Sequence, residues 1–135
     1  MKRILFVFVL LVSCQPMPKE VQLEKYRRQF IEGHAVLEEG LRTKGKSFLI
    51  ISVRNLENPM PLAVLRVKDP SFPYRFKITG RHKLSHERIM EGDVIITARL
   101  SSSNTAEPQK GDLIGSINAK VGTKNIKIII NSEVE

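Results

Sequence analysis

Few side chains in this sequence could do chemistry. The three histidines are His34, His82 and His86, and the one cysteine is Cys14. His82 and His86 stand four apart, a spacing that would bring two imidazoles to one side of a helical turn. Two imidazoles without a carboxylate or thiolate beside them make a weak metal site. A blue-copper site needs two histidines, a cysteine thiolate and an axial group, and the single thiol lies at the far N-terminus, where another chemistry claims it. Ser101, Ser102 and Ser103 have no histidine or nucleophile motif near them and read as a polar loop. Gly80, Gly92, Gly111, Gly115 and Gly122 are scattered singly and build no phosphate cradle. Asp93 and Asp112 each precede an apolar alternation, where aspartate serves a turn. The sequence therefore predicts no catalytic residue, no metal-ligand set and no cofactor.

The chemistry that Cys14 can do is acylation. Met1, Lys2 and Arg3 give a positive start, residues 4–12 are uninterruptedly apolar, and Ser13 precedes Cys14. This is the layout of a secretory signal, and the apolar run is far shorter than the roughly 20 residues a spanning helix needs. Leu11-Val12-Ser13-Cys14 is similar to the lipobox of bacterial lipoproteins, in which the cysteine sulfur takes a diacylglycerol after cleavage in front of it. As the one cysteine, Cys14 has no partner for an internal disulfide, and a free thiol would be a liability in an oxidising compartment. Residues 1–13 are expected to be a lipoprotein signal peptide and residues 14–28 the lipidated cysteine with its tether. Residues 29–135 are expected to form one domain, with enough chain for a single core.

The whole chain carries 22 basic and 14 acidic residues, a net +8. Loss of Lys2 and Arg3 leaves 20 against 14, or +6. The basic residues are spread along the chain with little aromatic interleaving and no tryptophan, so together with the exported address they argue against nucleic acid as a partner. A basic surface lying over anionic headgroups is the expectation.

The elements that must position any site are strands. Ile31, Gly33, Ala35 and Leu37 alternate with Glu32, His34 and Val36. Residues 48–53 form a continuous apolar run, as in a strand buried on both faces. Pro59-Met60-Pro61 closes the next loop, since proline cannot donate to a ladder. Ala63, Leu65 and Val67 alternate next, then Tyr74, Phe76 and Ile78 against Arg75, Lys77 and Thr79. Val94, Ile96, Ala98 and Leu100 face inward with Thr97 and Arg99 outside. A polar loop over residues 101–110 leads to Leu113, Gly115, Ile117, Ala119 and Val121, and a tight connection over residues 122–125 leads to Ile126, Ile128 and Ile130. Seven short strands and no long helix predict an all-β fold, an antiparallel β-sandwich.

Two segments carry a family pattern. Asn58-Pro59-Met60-Pro61-Leu62-Ala63-Val64-Leu65-Arg66-Val67, and the stretch from Ala98-Arg99-Leu100-Ser101 through Asn104, Ala106, Pro108-Gln109 and Gly111-Asp112-Leu113 to Gly115, resemble the C-terminal domain of CycH-type cytochrome c biogenesis factors. The resemblance spans roughly residues 31–130 and implies an Ig-like sandwich. The family's methionine-rich stretch ahead of Lys83-Leu84-Ser85 is replaced here by Gly80, Arg81 and His82. The tetratricopeptide repeats that precede the family's domain have no counterpart in these 135 residues, and a lipid anchor is expected in their place. Since apocytochrome capture in the family is attributed largely to those repeats, the resemblance does not by itself bring that client.

What remains is binding. Met60 between two prolines is a stiff apolar loop tip, and methionine suits adaptable contacts. Long loops on a rigid sandwich are where binding residues sit. Met60, Pro61, Ser103, Asn104 and Pro108 are the candidate partner-binding residues. The expected partners are the membrane, through lipidated Cys14, and a protein of the envelope. The resemblance implies cytochrome c assembly components; the alternative is a tethered structural or interaction module unrelated to cytochromes. No enzyme is expected.

Overall fold

The computed structural model describes residues 28–135. The expected signal segment, Cys14 and residues 15–27 of the expected tether lie outside the described residues. Within them the seven expected strands are β1 (Phe30–Leu37), β2 (Phe48–Asn55), β3 (Pro61–Lys68), β4 (Tyr74–Thr79), β5 (Asp93–Ser101), β6 (Leu113–Lys120) and β7 (Ile126–Ile130), and a two-residue β8 (Ser132–Glu133) follows. They form two sheets, one ordered β4-β1-β7 and one ordered β3-β2-β5-β6-β8.

Period-two alternation puts one apolar row of each strand between the sheets. Ile31, Ala35, Phe76, Ile78, Ile126, Ile128 and Ile130 enter the core from the smaller sheet. Leu49, Ile51, Val53, Val94, Ile96, Ala98, Leu100 and Leu113 meet them from the larger one. Met90 is also fully buried, although it lies in no strand. The apolar run 48–53 is β2, flanked on both sides by β3 and β5. Ile50 is buried on the outer face of that sheet, as a doubly covered central strand requires.

One pairing departs from an all-antiparallel arrangement: β7 runs parallel to β1, with Gly33 opposite Ile126 and Leu37 opposite Ile130. The tight connection after β6 carries the chain across to the other sheet instead of closing a hairpin, with Gly122 and Asn125 at positive φ. After Ile130 the chain crosses back, and β8 pairs with the start of β6. A Cβ on Gly115 would run into the backbone of Ile129, and one on Gly33 into that of Ile126. Both positions of the inner alternation that lack a side chain thus mark where β7 passes too close to admit one.

Candidate functional site

Met60 stands at the tip of the loop between β2 and β3. The Asn58 side-chain oxygen accepts the Met60 backbone N–H at 2.9 Å, a local turn that holds the tip in shape. Pro61 opens β3, the position of an edge strand where a missing N–H costs least. The segment after the 3-10 turn Gly80–His82 runs along the start of this edge: Leu84 N–H donates to the Leu62 carbonyl at 3.0 Å, and the Arg88 guanidinium donates to the Pro61 carbonyl at 3.3 Å. Gln29, buried just ahead of β1, holds the same segment from behind. Its side-chain oxygen accepts from the Met90 backbone N–H and from the Lys83 ammonium, both at 3.2 Å.

Two loops are therefore laced together at one end of the sandwich, and they leave apolar side chains outside. Met60 is 64 % exposed, Leu84 59 %, Leu56 52 % and Ile89 39 %. Four of the five exposed large hydrophobic residues among the described residues thus fall in these two loops, the fifth being Ile129. Single exposed apolar residues need no explanation, but Met60, Leu84 and Ile89 stand on loops tied to each other and form a candidate contact surface, while Leu56, at the same end, lies toward Asp93 and Lys120. Leu56, Leu84 and Ile89 carry no signal in the strand alternation; their one mark is apolar character inside otherwise polar segments.

The second family-like segment folds differently. The Arg99 guanidinium, on the outer face of β5, donates to the Asp112 carboxylate at 2.8 Å and to the Thr105 carbonyl at 2.6 Å, with both charged side chains almost fully buried. The Gln109 backbone N–H reaches the same carboxylate oxygen at 2.8 Å. Burial pushes the Asp112 carboxyl up, but the hydrogen bonds from Gln109 N–H, the Ser101 hydroxyl and Arg99, with the charge of Arg99 added, outweigh it and hold the carboxyl below its ordinary range. Ser101 also accepts from Ser103 N–H, and Ser103 shares a hydroxyl contact with Thr105. The C-terminal segment closes the far side, with Gly111 N–H donating to the Val134 carbonyl and Val134 N–H to the Asp112 carbonyl, both 2.8 Å. Asp112 thus has a larger part than a turn residue, and Arg99 is buried where an outward-facing strand position predicts exposure.

The five candidate residues do not converge. Phe48 lies opposite Ser101 and Asn55 opposite Val94, so the 101–112 loop sits at the Phe48 end of β2 and the Met60 loop at the Asn55 end. Eight strand residues put the two loops about 25 Å apart. Met60 and Pro61 belong to the laced apolar end. Ser103 is part of the closed loop's internal network, and Asn104 and Pro108 are exposed on that loop.

The histidines are also separated. His82 Nδ1 accepts the Thr79 backbone N–H at 3.0 Å in a capping box on the 3-10 turn Gly80–His82, and the backbone turns extended at Lys83. His82 and His86 therefore do not share a helical turn. Among the described residues no three His, Cys, Asp or Glu side chains are grouped to hold a metal ion, and no helix among them is long and apolar enough to cross a membrane.

Residues 32–131 match the model of the cytochrome c-type biogenesis protein H Ig-like domain. That range runs from the third residue of β1 to just past the end of β7 and includes both family-like segments. An uncharacterized protein of Aquifex aeolicus (strain VF5) is 44% identical over 141 residues, covering 97% of this chain and 94% of the relative. No solved structure matches the chain. With the two-sheet fold and both segments in place, the chain belongs to the family of cytochrome c-type biogenesis protein H Ig-like domains.

Proposed function

We propose that this chain is a lipid-anchored module of the bacterial cell envelope, held to the membrane through acylated Cys14, that presents the Met60 end of its Ig-like domain to a protein partner in cytochrome c biogenesis. The observation that carries the reading is the exposed apolar group of Met60, Leu84, Leu56 and Ile89 on a domain whose family is tied to that process. Rigid backing suits such a surface: the loops are held by Gln29, Arg88 and Asn58, so little ordering entropy is lost when a partner docks. The chain works by contact and not by catalysis in this reading, and the signal-like layout of residues 1–14 supports a place on the periplasmic side.

A photo-crosslinking amino acid at Met60, with one at Asn104 as the comparison, tests the reading in native membranes. Adducts from position 60 with haem-handling or cytochrome assembly proteins are expected. Adducts confined to position 104, or adducts only with envelope proteins unrelated to cytochromes, would make the chain a tethered interaction module of another kind. The anchor is tested separately by labelled fatty acid: it should appear on the wild-type protein and be absent from Cys14→Ala, whose acceptor thiol is gone.

A further inference from the structure

Both outer faces carry more cations than acids, and they differ in where those cations stand. At the middle of the larger sheet Arg99, the one buried cation among the described residues, is matched by Asp112, and its neighbours Thr97 and Ser116 are neutral and bonded to each other at 3.0 Å, so the other cations Arg54, Arg66, Lys68 and Lys120 stand at the margins of that face. The outer face of β4-β1-β7 is open. In register across it stand Arg75, His34 and Lys127, one from each strand. Two strand spacings put Arg75 and Lys127 about 10 Å apart, within a Debye length, with no acid between them. In the adjacent row Lys77 pairs with Glu32 at 3.2 Å, and Lys77 and Lys124 each hold their ammonium 5.9 Å from the centroid of the Phe30 ring. Four cations thus meet one carboxylate on this face. Next to them Ile129, 43 % exposed, lies in register with Val36.

Cations this close together with no acid between them repel one another and raise the local positive potential, which an external anion would relieve. A row of cations with a half-buried aromatic ring toward one end and an exposed aliphatic residue toward the other suits a surface that is anionic at the headgroups and apolar just beneath. The chain from Cys14 also enters the domain here, because Phe30 opens β1 on this face. Thirteen residues separate Cys14 from Arg28, and these reach at most about 45 Å. We propose that the outer face of the three-stranded sheet is the surface with which this domain lies on an anionic bilayer, leaving the Met60 end free at the side. The placement rests on the anchoring of Cys14 proposed above, whereas the affinity of the face for anionic lipid does not.

The experiment uses the full chain purified from membranes, with Cys14 acylation read by intact mass. If Cys14 is acylated, introduced thiols are the only ones that label. A fluorophore is placed at Ile129→Cys or at Ser116→Cys, and the protein is reconstituted in phosphatidylcholine vesicles with or without phosphatidylglycerol, bearing a headgroup quencher. Position 129 should be quenched several-fold more than position 116 in phosphatidylglycerol vesicles alone, and Arg75→Glu with Lys127→Glu should abolish the difference. Equal quenching at the two positions, or stronger quenching at 116, overturns the proposal. So does displacement by millimolar inorganic phosphate that saturates at one per chain, which would make the face a small-anion site. If Cys14 proves unacylated, the anchor reading fails by itself, and the face is tested by co-sedimentation. Binding to phosphatidylglycerol but not phosphatidylcholine vesicles, weakened about a hundredfold by the paired charge reversal, upholds the face; indifference to lipid charge overturns it.

Discussion

The loop that closes on Asp112 and the end of the sandwich around Met60 both lie in stretches carrying the family pattern, yet their side chains are used in opposite ways. In the first, the side chains of Arg99, Ser101 and Asp112 are buried and satisfy one another, with the Gln109 backbone N–H completing the set. In the second, backbone groups and Gln29 do the bonding while Met60, Leu56 and Leu84 turn outward. A family pattern therefore marks two things, a geometry that must be held and a surface left free, and sequence alone does not separate them. A mutation in the first should act on stability, and one in the second on binding.

The largest effect is expected at the buried pair. Asp112→Ala leaves the Arg99 guanidinium buried with its bond to the Thr105 carbonyl but without its counter-charge, and removal of one member of a buried ion pair costs about 3–5 kcal/mol. Arg99→Met combined with Asp112→Leu should recover much of the loss, because neither charge then remains unmatched. Urea unfolding of the three proteins measures both values. A loss at Asp112→Ala below about 1 kcal/mol would mean that the loop is held without the pair, and the contrast between the two segments would break.

The same carboxylate gives the contrast a pH signature. Because the folded pKa of Asp112 is lowered, the group contributes stability in full above the unfolded carboxylate pKa of about 3.9 and loses it as pH falls through the lower folded value. The stability difference between wild type and Asp112→Asn should thus stay flat from about pH 7 to pH 5 and shrink below about pH 4. A difference that shrinks between pH 7 and pH 5 would assign the titration to another group.

A smaller loss is expected from the clasp behind the apolar end. Gln29→Ala removes the acceptor of the buried Met90 N–H and of the Lys83 ammonium, and an orphaned buried donor costs about 1–3 kcal/mol. Hydrogen exchange should rise at Met90 and along residues 83–90, leaving β5 and β6 protected. Uniform loosening would show that Gln29 acts on the whole core.

Much of the fold can be read from the chain because its strands alternate cleanly. Ile96 and Thr97 fall inside and outside as the period requires, and Pro61 starts an edge strand as its missing N–H dictates. What the sequence conceals is non-local. Arg99 looks like an exposed strand residue until the loop returns Asp112 to it thirteen positions later, and Gln29, at the expected start of the domain, shows no sign of a clasp until Lys83 and Met90 arrive from 54 and 61 positions away. The sheet that β7 joins is equally hidden, since a tight turn after β6 serves a hairpin and a crossing alike. At the candidate site, Met60 could be picked out by its flanking prolines, whereas Leu56, Leu84 and Ile89 join it only once residues 83–88 are laid along β3.

The smallest effect on stability, and the sharpest test of the contrast, belongs to the apolar end itself. Met60→Ser and Leu84→Ser remove apolar side chains that are 64 % and 59 % exposed, so little buried area is lost. Substitutions at such positions shift stability by no more than about 0.5 kcal/mol. The hydrogen bonds of these residues run through the backbone, from Met60 N–H to Asn58 and from Leu84 N–H to the Leu62 carbonyl, and serine keeps both. The double variant should therefore unfold at nearly the same urea concentration as wild type while losing the crosslinks formed from that end. Loss of stability above about 2 kcal/mol would place Met60 and Leu84 in the folded core's support, and the free surface would have to be sought on another part of the domain. Unchanged stability with unchanged crosslinking would move the partner to the exposed Asn104 and Pro108, on the loop that the Arg99–Asp112 pair holds rigid.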